Sequence, residues 1–138
     1  MSRVTPDGLA FIRAKQKTQR APRGTIVLPL PHKHLSPNAR VHWAAKNKQV
    51  KIYRDLARVM AERNLTIGLK RAFVKCRFFF KDRRRRDKDN LLSSMKAAFD
   101  GLADAGVVAN DSELTYLPVE IEVDISCPRV EVTVLVSA

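Results

Sequence analysis

RAFVKCRFFFKDRRRRDKDNLLSSMKAAFDGL, Arg71 to Leu102, decides how this chain is read. Its first ten residues, Arg71 to Phe80, have the aromatic content and partial alternation of a strand. Ala72, Val74, Cys76, Phe78 and Phe80 take one side and Phe73, Lys75, Arg77 and Phe79 the other. From Asn90 onward the period changes. Leu92, Met95, Phe99 and Leu102 fall on one helical stripe, which Asp89 or Asn90 can cap. Between strand and helix stand Lys81, Asp82, four consecutive arginines (Arg83, Arg84, Arg85, Arg86) and then Asp87 and Asp89. Arginines repel one another, so a folded chain keeps four together only where water or a polyanion surrounds them. If the strand exit stays extended to residue 89, Asp87 and Asp89 point to one side and share one small volume. Lys96 follows Asp89 by about two helical turns and is placed to project from a similar direction. Two carboxylates with a nearby cation form a plausible metal-dependent phosphoryl-transfer centre.

Working outward, the 138 residues are enough for one domain with its own core. The net charge of +12 is unevenly spread. Met1 to Gly24 carries six basic and one acidic residue, Thr25 to Asp100 nineteen and six, and Gly101 to Ala138 one and seven, so the segments stand at +5, +13 and −6. Such asymmetry suits a protein that grips nucleic acid along one face. Residues 1–24 read as a basic extension broken by Pro6, Gly8, Pro22 and Gly24, and residues 25–138 as the folded domain. Neither a membrane-length apolar run nor a secretory signal is visible, so a soluble, cytoplasmic protein without membrane contact is expected. Cys76 and Cys127 lack a paired spacing and read as reduced thiols, and His32, His34 and His42 as ordinary surface residues.

TIVLPL, Thr25 to Leu30, is the first strand candidate, and the polar, basic loop after it carries Arg40, His42 and Trp43. Trp43 has two readings, a buried anchor and a surface on which a base or sugar stacks; Arg40 is either a phosphate contact or solvated surface. A helix is expected from about Lys46 to Arg63, with Val50, Tyr53, Ala57 and Met60 on its apolar stripe. Gly106 stops the second helix, and Val119–Ile125 and Arg129–Val136 read as a hairpin completing the sheet. The expected architecture is α+β, or mixed α/β, with about four strands and two helices.

DRRRRDKDN, MKAAFDGL and then VVANDSEL at Val107 to Leu114 resemble the RusA family of Holliday junction resolvases. The resemblance covers about Thr25 to the C-terminus. It implies a structure-specific endonuclease acting on branched DNA, a RusA-like fold and a homodimer of bacterial or phage origin. It implies that Asp87, Asp89 and Asp111 are catalytic and bind Mg²⁺, with Mn²⁺ as a substitute, and that Lys96 is the functional lysine. Lys81, Arg40 and Arg83 to Arg86 would hold the DNA backbone. One departure is that the lysine lies seven residues after the second acid, where the family's type member has four. The alternative function is a non-catalytic DNA- or RNA-binding protein in which the acids merely pair with the arginines, or, given the shifted lysine, a degenerate relative that binds junctions without cutting them.

Overall fold

The computed structural model describes residues 20–137. Five strands form one mixed sheet: β1 (Arg20–Leu28), β2 (Ala72–Phe80), β3 (Leu114–Tyr116), β4 (Glu120–Val123) and β5 (Arg129–Ser137). The helices are α1 (Trp43–Asn64), α2 (Lys88–Ser93) and α3 (Lys96–Asp104), with single 3₁₀ turns at Lys33–Leu35 and Asp111–Glu113. β5 lies between β1 and β2, antiparallel to both. On its other side β2 pairs in parallel with β3 along Ala72–Val74 and with β4 along Arg77–Phe80. β3 and β4 thus make one edge interrupted at Leu117–Val119, where Pro118 has no N–H to give to a ladder. The α+β class and the two longer helices packed on the sheet agree with the expectation. The sheet has four ranks and five strands because its last rank is split.

Alternation in β2 has the expected outcome. Ala72, Val74, Cys76, Phe78 and Phe80 are buried, as are Val130, Val132 and Val134 of β5 and Ile26 and Leu28 of β1. Tyr53, Ala57 and Ala61 of α1, and Ala97, Ala98, Phe99 and Leu102 of α3, cover that face. The two helices approach closely because Gly101 has no side chain: a β-carbon there would collide with the Arg54 carbonyl oxygen and press on Ala57. Arg54 crosses the same contact, donating from Nε and Nη2 to the Asp104 carboxylate at 2.5 and 2.8 Å. Tyr53 reaches the other way, its hydroxyl donating to the Pro29 carbonyl at 2.8 Å.

Four expectations are corrected. The first strand begins at Arg20, inside the stretch assigned to the extension, and passes a bulge between Pro22 and Thr25 where Gly24 takes φ +116°. Residues 1–19, the rest of that stretch, lie outside the described residues. The first helix starts at Trp43, three residues before Lys46, because the His42 ring caps it. The second helix is broken at Ser94 and Met95. Ser94 Oγ donates to the Leu91 carbonyl at 2.7 Å, a competing bond that serines favour, and the chain turns to send Met95 into the core. Finally, β4 and β5 are not a hairpin. They lie on opposite sides of β2, and alternation fixes a strand's face without naming its neighbour.

Gly106 does stop α3, with φ +86°. Its N–H donates to the Ala103 carbonyl and that of Val107 to Leu102, the paired bonds of a Schellman cap. Buried Val107 and Val108 then fix the chain immediately before Asn110 and Asp111.

Candidate functional site

The β2 exit leaves the sheet at Phe80 and forms a loop held by Asp82. Its Oδ1 accepts from the Arg84 N–H at 3.1 Å and from Arg86 Nη2 at 2.8 Å. Arg86 also donates from Nη1 to the Arg84 and Asp82 carbonyls, and its guanidinium lies 3.7 Å above the Phe80 ring. Its side chain is only 17% exposed. The four arginines therefore divide. Arg83, Arg84 and Arg85 face outward, whereas Arg86 is the centre post of the loop. The carboxyl of Asp82 is held below its ordinary range, chiefly by the Arg86 hydrogen bond. Lys81 and Arg40 are both exposed.

Asp87, not Asp89 or Asn90, caps α2. Its Oδ1 accepts from the N–H groups of Asp89 at 2.8 Å and Asn90 at 3.2 Å. Asp89 sits in the first helical turn, where a carboxylate complements the helix dipole. The extended alternation expected to aim both acids one way is absent, because the strand ends at Phe80 and a helix begins at Lys88. A short Asx cap forms more readily than an extended chain crowded with like charges.

Lys96 opens α3 instead of continuing the earlier helix, and this sets where it points. Its ammonium donates to Asp100 Oδ1 at 2.8 Å and to Asp111 Oδ2, joining the start of the helix to a turn fifteen residues later. Asn110 shapes that turn by accepting from the Ser112 N–H. Asp111 is held below its ordinary carboxyl range, first by the Lys96 hydrogen bond. Lys96 is raised above an ordinary lysine by its bonds to Asp100 and then Asp111. Tyr116 stands beside this cluster, stacked on Phe99 at 4.7 Å; burial first and Asp111's charge second raise its phenol.

Sequence reasoning thus paired Lys96 with Asp111 through resemblance, read Asp100 only as a residue that orients arginines or caps structure, and missed Tyr116. Asp100 had a signal of its own, the four-residue spacing from Lys96 that puts opposite charges on one helix face. Tyr116 had none, since its position depends on the parallel pairing of β3 with β2.

Asp87, Asp89 and Asp111 offer oxygen donors of the kind that hard divalent cations take. Among the described residues no three His, Cys, Asp or Glu side chains converge as an ion-binding group. The donor chemistry fits Mg²⁺; the described positions do not form a cage for it. His32 and His42 use Nδ1 to accept the N–H groups of His34 and Ala44, which occupies them as local caps. Cys76 is buried, its thiol pushed up to about 12 by that burial, and Cys127 is exposed. No described helix is long and apolar enough to cross a membrane.

No protein-family model matches the chain. An uncharacterized protein of Xylella fastidiosa (strain Temecula1 / ATCC 700964) is 43% identical to it over 86 residues, 59% of this chain and 56% of that relative. The chain therefore matches little more than half the length of this relative.

Proposed function

We propose that this chain is a cytoplasmic, Mg²⁺-dependent endonuclease of the RusA type that resolves Holliday junctions in recombination and repair. The observation that carries the reading is the meeting of Lys96 with Asp111. Three extra residues separate the lysine from the acids, yet the break at Ser94–Met95 restarts the helix at Lys96 and gives it a partner in the later turn. The cation and the carboxylate that the resemblance assigns to one centre are thereby neighbours.

In this reading Asp87, Asp89 and Asp111 would hold the divalent ion, and the chemistry it would supply when bound is a more acidic water and neutralised phosphoryl charge. Arg83, Arg84, Arg85, Lys81 and Arg40 hold the DNA backbone through phosphates, which makes affinity fall steeply with salt. Lys96 stands at the scissile phosphate and stabilises charge growing on the leaving oxygen. Asp100 keeps that ammonium aimed, and Arg86 keeps the loop in shape. A four-way junction is nearly two-fold, so a two-fold dimer would present two equivalent centres for paired cuts.

A second reading, a basic protein that binds branched DNA or RNA without cutting it, draws on a specific observation. Asp87 is engaged as a cap and Asp111 by an ammonium, so neither carboxylate is bare. One experiment separates the two. The full chain is incubated with a synthetic four-way junction and with a linear duplex, in Mg²⁺ and in chelator, beside the Asp89→Asn variant. Paired cuts confined to the junction, dependent on Mg²⁺ and lost in Asp89→Asn with binding retained, are expected. Unchanged cleavage in Asp89→Asn sinks the metal role, and tight binding by folded protein without any cut favours the second reading.

A further inference from the structure

Trp43 is the chain's one tryptophan, and it is 69% exposed at the first position of a 22-residue helix. An indole left so open forgoes burial that a core position would give it. The neighbouring His42 ring is pinned by accepting the Ala44 N–H, and lies 5.5 Å from the indole at a 33° tilt. The pair makes a preset aromatic step.

Its surroundings carry one sign of charge. From His32 to Lys51 there are five basic residues, Lys33, Arg40, Lys46, Lys48 and Lys51, and no acidic one. The first turn of α1 also lacks the acid that helix starts favour, so the dipole's positive end adds to the field. Trp43, Lys46 and Val50 follow one another at spacings of three and four and share one stripe of α1. Lys46 and Val50 line an open groove of about 250 Å³, and its opposite wall includes Ser94, Lys96 and Asp100. Seven helical residues separate Trp43 from Val50, about 10 Å. That is no more than about three stacked nucleotides at 3.4 Å each.

We infer that Trp43 is a stacking platform for an unpaired nucleobase of a DNA strand whose phosphates follow Lys46 toward Lys96. The inference rests on the DNA-binding part of the proposed function and adds what that part leaves open, the feature by which a branch is told from a duplex. In a continuous duplex every base is already stacked and paired. At a branch or in a single strand a base can leave its neighbours, and any of the four offers a ring face to an indole. The lysines supply sequence-independent attraction, and the indole rewards only an unstacked base.

The test uses the full chain in chelator, where no cleavage occurs, and reads Trp43 emission directly. A short oligothymidylate is titrated beside the matching blunt duplex, with saturation followed independently by the anisotropy of a labelled strand. The single strand should quench Trp43 and the duplex far less. Trp43→Ala should weaken single-strand binding by roughly 5- to 150-fold, the loss of one base–aromatic stack. Trp43→Phe should recover most of it, with circular dichroism checking that both variants fold. Unchanged emission at saturation, or wild-type affinity in Trp43→Ala, overturns the inference. So does a concentration-dependent blue shift without DNA together with self-association in the centrifuge, which would assign the indole to a second copy of the chain. Protein that quenches on single strands but cuts no junction keeps the inference and removes the nuclease. Protein that cuts junctions while Trp43→Ala binds and selects normally removes the inference alone.

Discussion

Two clusters of opposite charge flank α2, and they are built on different principles. The first lies in the loop after β2, where Asp82, Arg84 and Arg86 bond one another within five residues and Arg86 is set on the Phe80 ring. The second joins Lys96, Asp100 and Asp111 across the start of α3 and the turn after it. The local cluster shapes backbone, because an arginine with several carbonyl and carboxylate acceptors is a brace. The long-range cluster leaves its cation 61% exposed, so its members hold one another without closing the site to a ligand. Charge density in sequence therefore does not rank openness to a ligand: the conspicuous arginine run contains a brace, and the inconspicuous lysine keeps its ammonium more exposed than that brace.

The largest effect that would sharpen this contrast is on cleavage. Lys96→Met should lower the single-turnover rate on a four-way junction by about 10²- to 10³-fold, the usual cost of removing one group that stabilises transition-state charge. Its denaturant midpoint should barely move, because exposed ion pairs contribute little. A midpoint shift as large as that of a core mutation would show the second cluster to be a brace as well.

Next comes the reverse pattern at Arg86. Arg86→Ala should destabilise the fold by about 1 kcal/mol through the lost stack on Phe80, with further loss from the freed loop carbonyls, read as a lower urea midpoint. Arg85→Ala should leave the midpoint alone and reduce the slope of log affinity against log salt by about one. Equal midpoints in the two variants would erase the division between brace and phosphate contact.

The smallest effect is in pH. Asp111 and Asp82 both have depressed carboxyls, so each cluster contributes above the ordinary value of 3.8 and loses its contribution as pH falls through the lower folded value. Lys96 is raised, so its contribution is complete below 10.5 and is lost as pH rises through the higher folded value. Arginine stays charged throughout. Acid should thus weaken both clusters together, while alkali should loosen only the second. Following the Lys96 side-chain signal by NMR as the pH is raised tests this order, and a lysine that titrates at its ordinary 10.5 would contradict it.

Much of the fold was legible because period and composition act locally. The alternation of Ala72 to Phe80, the stripe Tyr53–Ala57–Met60 and the stop at Gly106 each needed only their own residues. What escaped depended on partners distant in sequence. Leu92, Met95, Phe99 and Leu102 keep a helical spacing straight through Met95, yet the helix breaks where Ser94 bonds to Leu91 and the Met95 N–H turns to the Leu92 carbonyl. The Val119–Ile125 and Arg129–Val136 segments alternate as hairpin arms do, yet β2 comes between them. At the site the residue types were visible but their engagement was not. Asp87 became a cap because the helix began one residue later, and Trp43 stayed outside although a lone indole usually finds a core.

The position of β5 has a kinetic corollary. It fills the gap between β1 and β2, so on the ribosome those two strands emerge without their shared partner, separated by a long helix and carrying open hydrogen-bonding edges. Neither can finish its ladder until residues 129–137 leave the exit tunnel, and the entropy of closing such distant pairings must be met first. The nascent chain is accordingly open to sticking to its neighbours until β5 is made, and β5 is the element whose arrival ends that exposure.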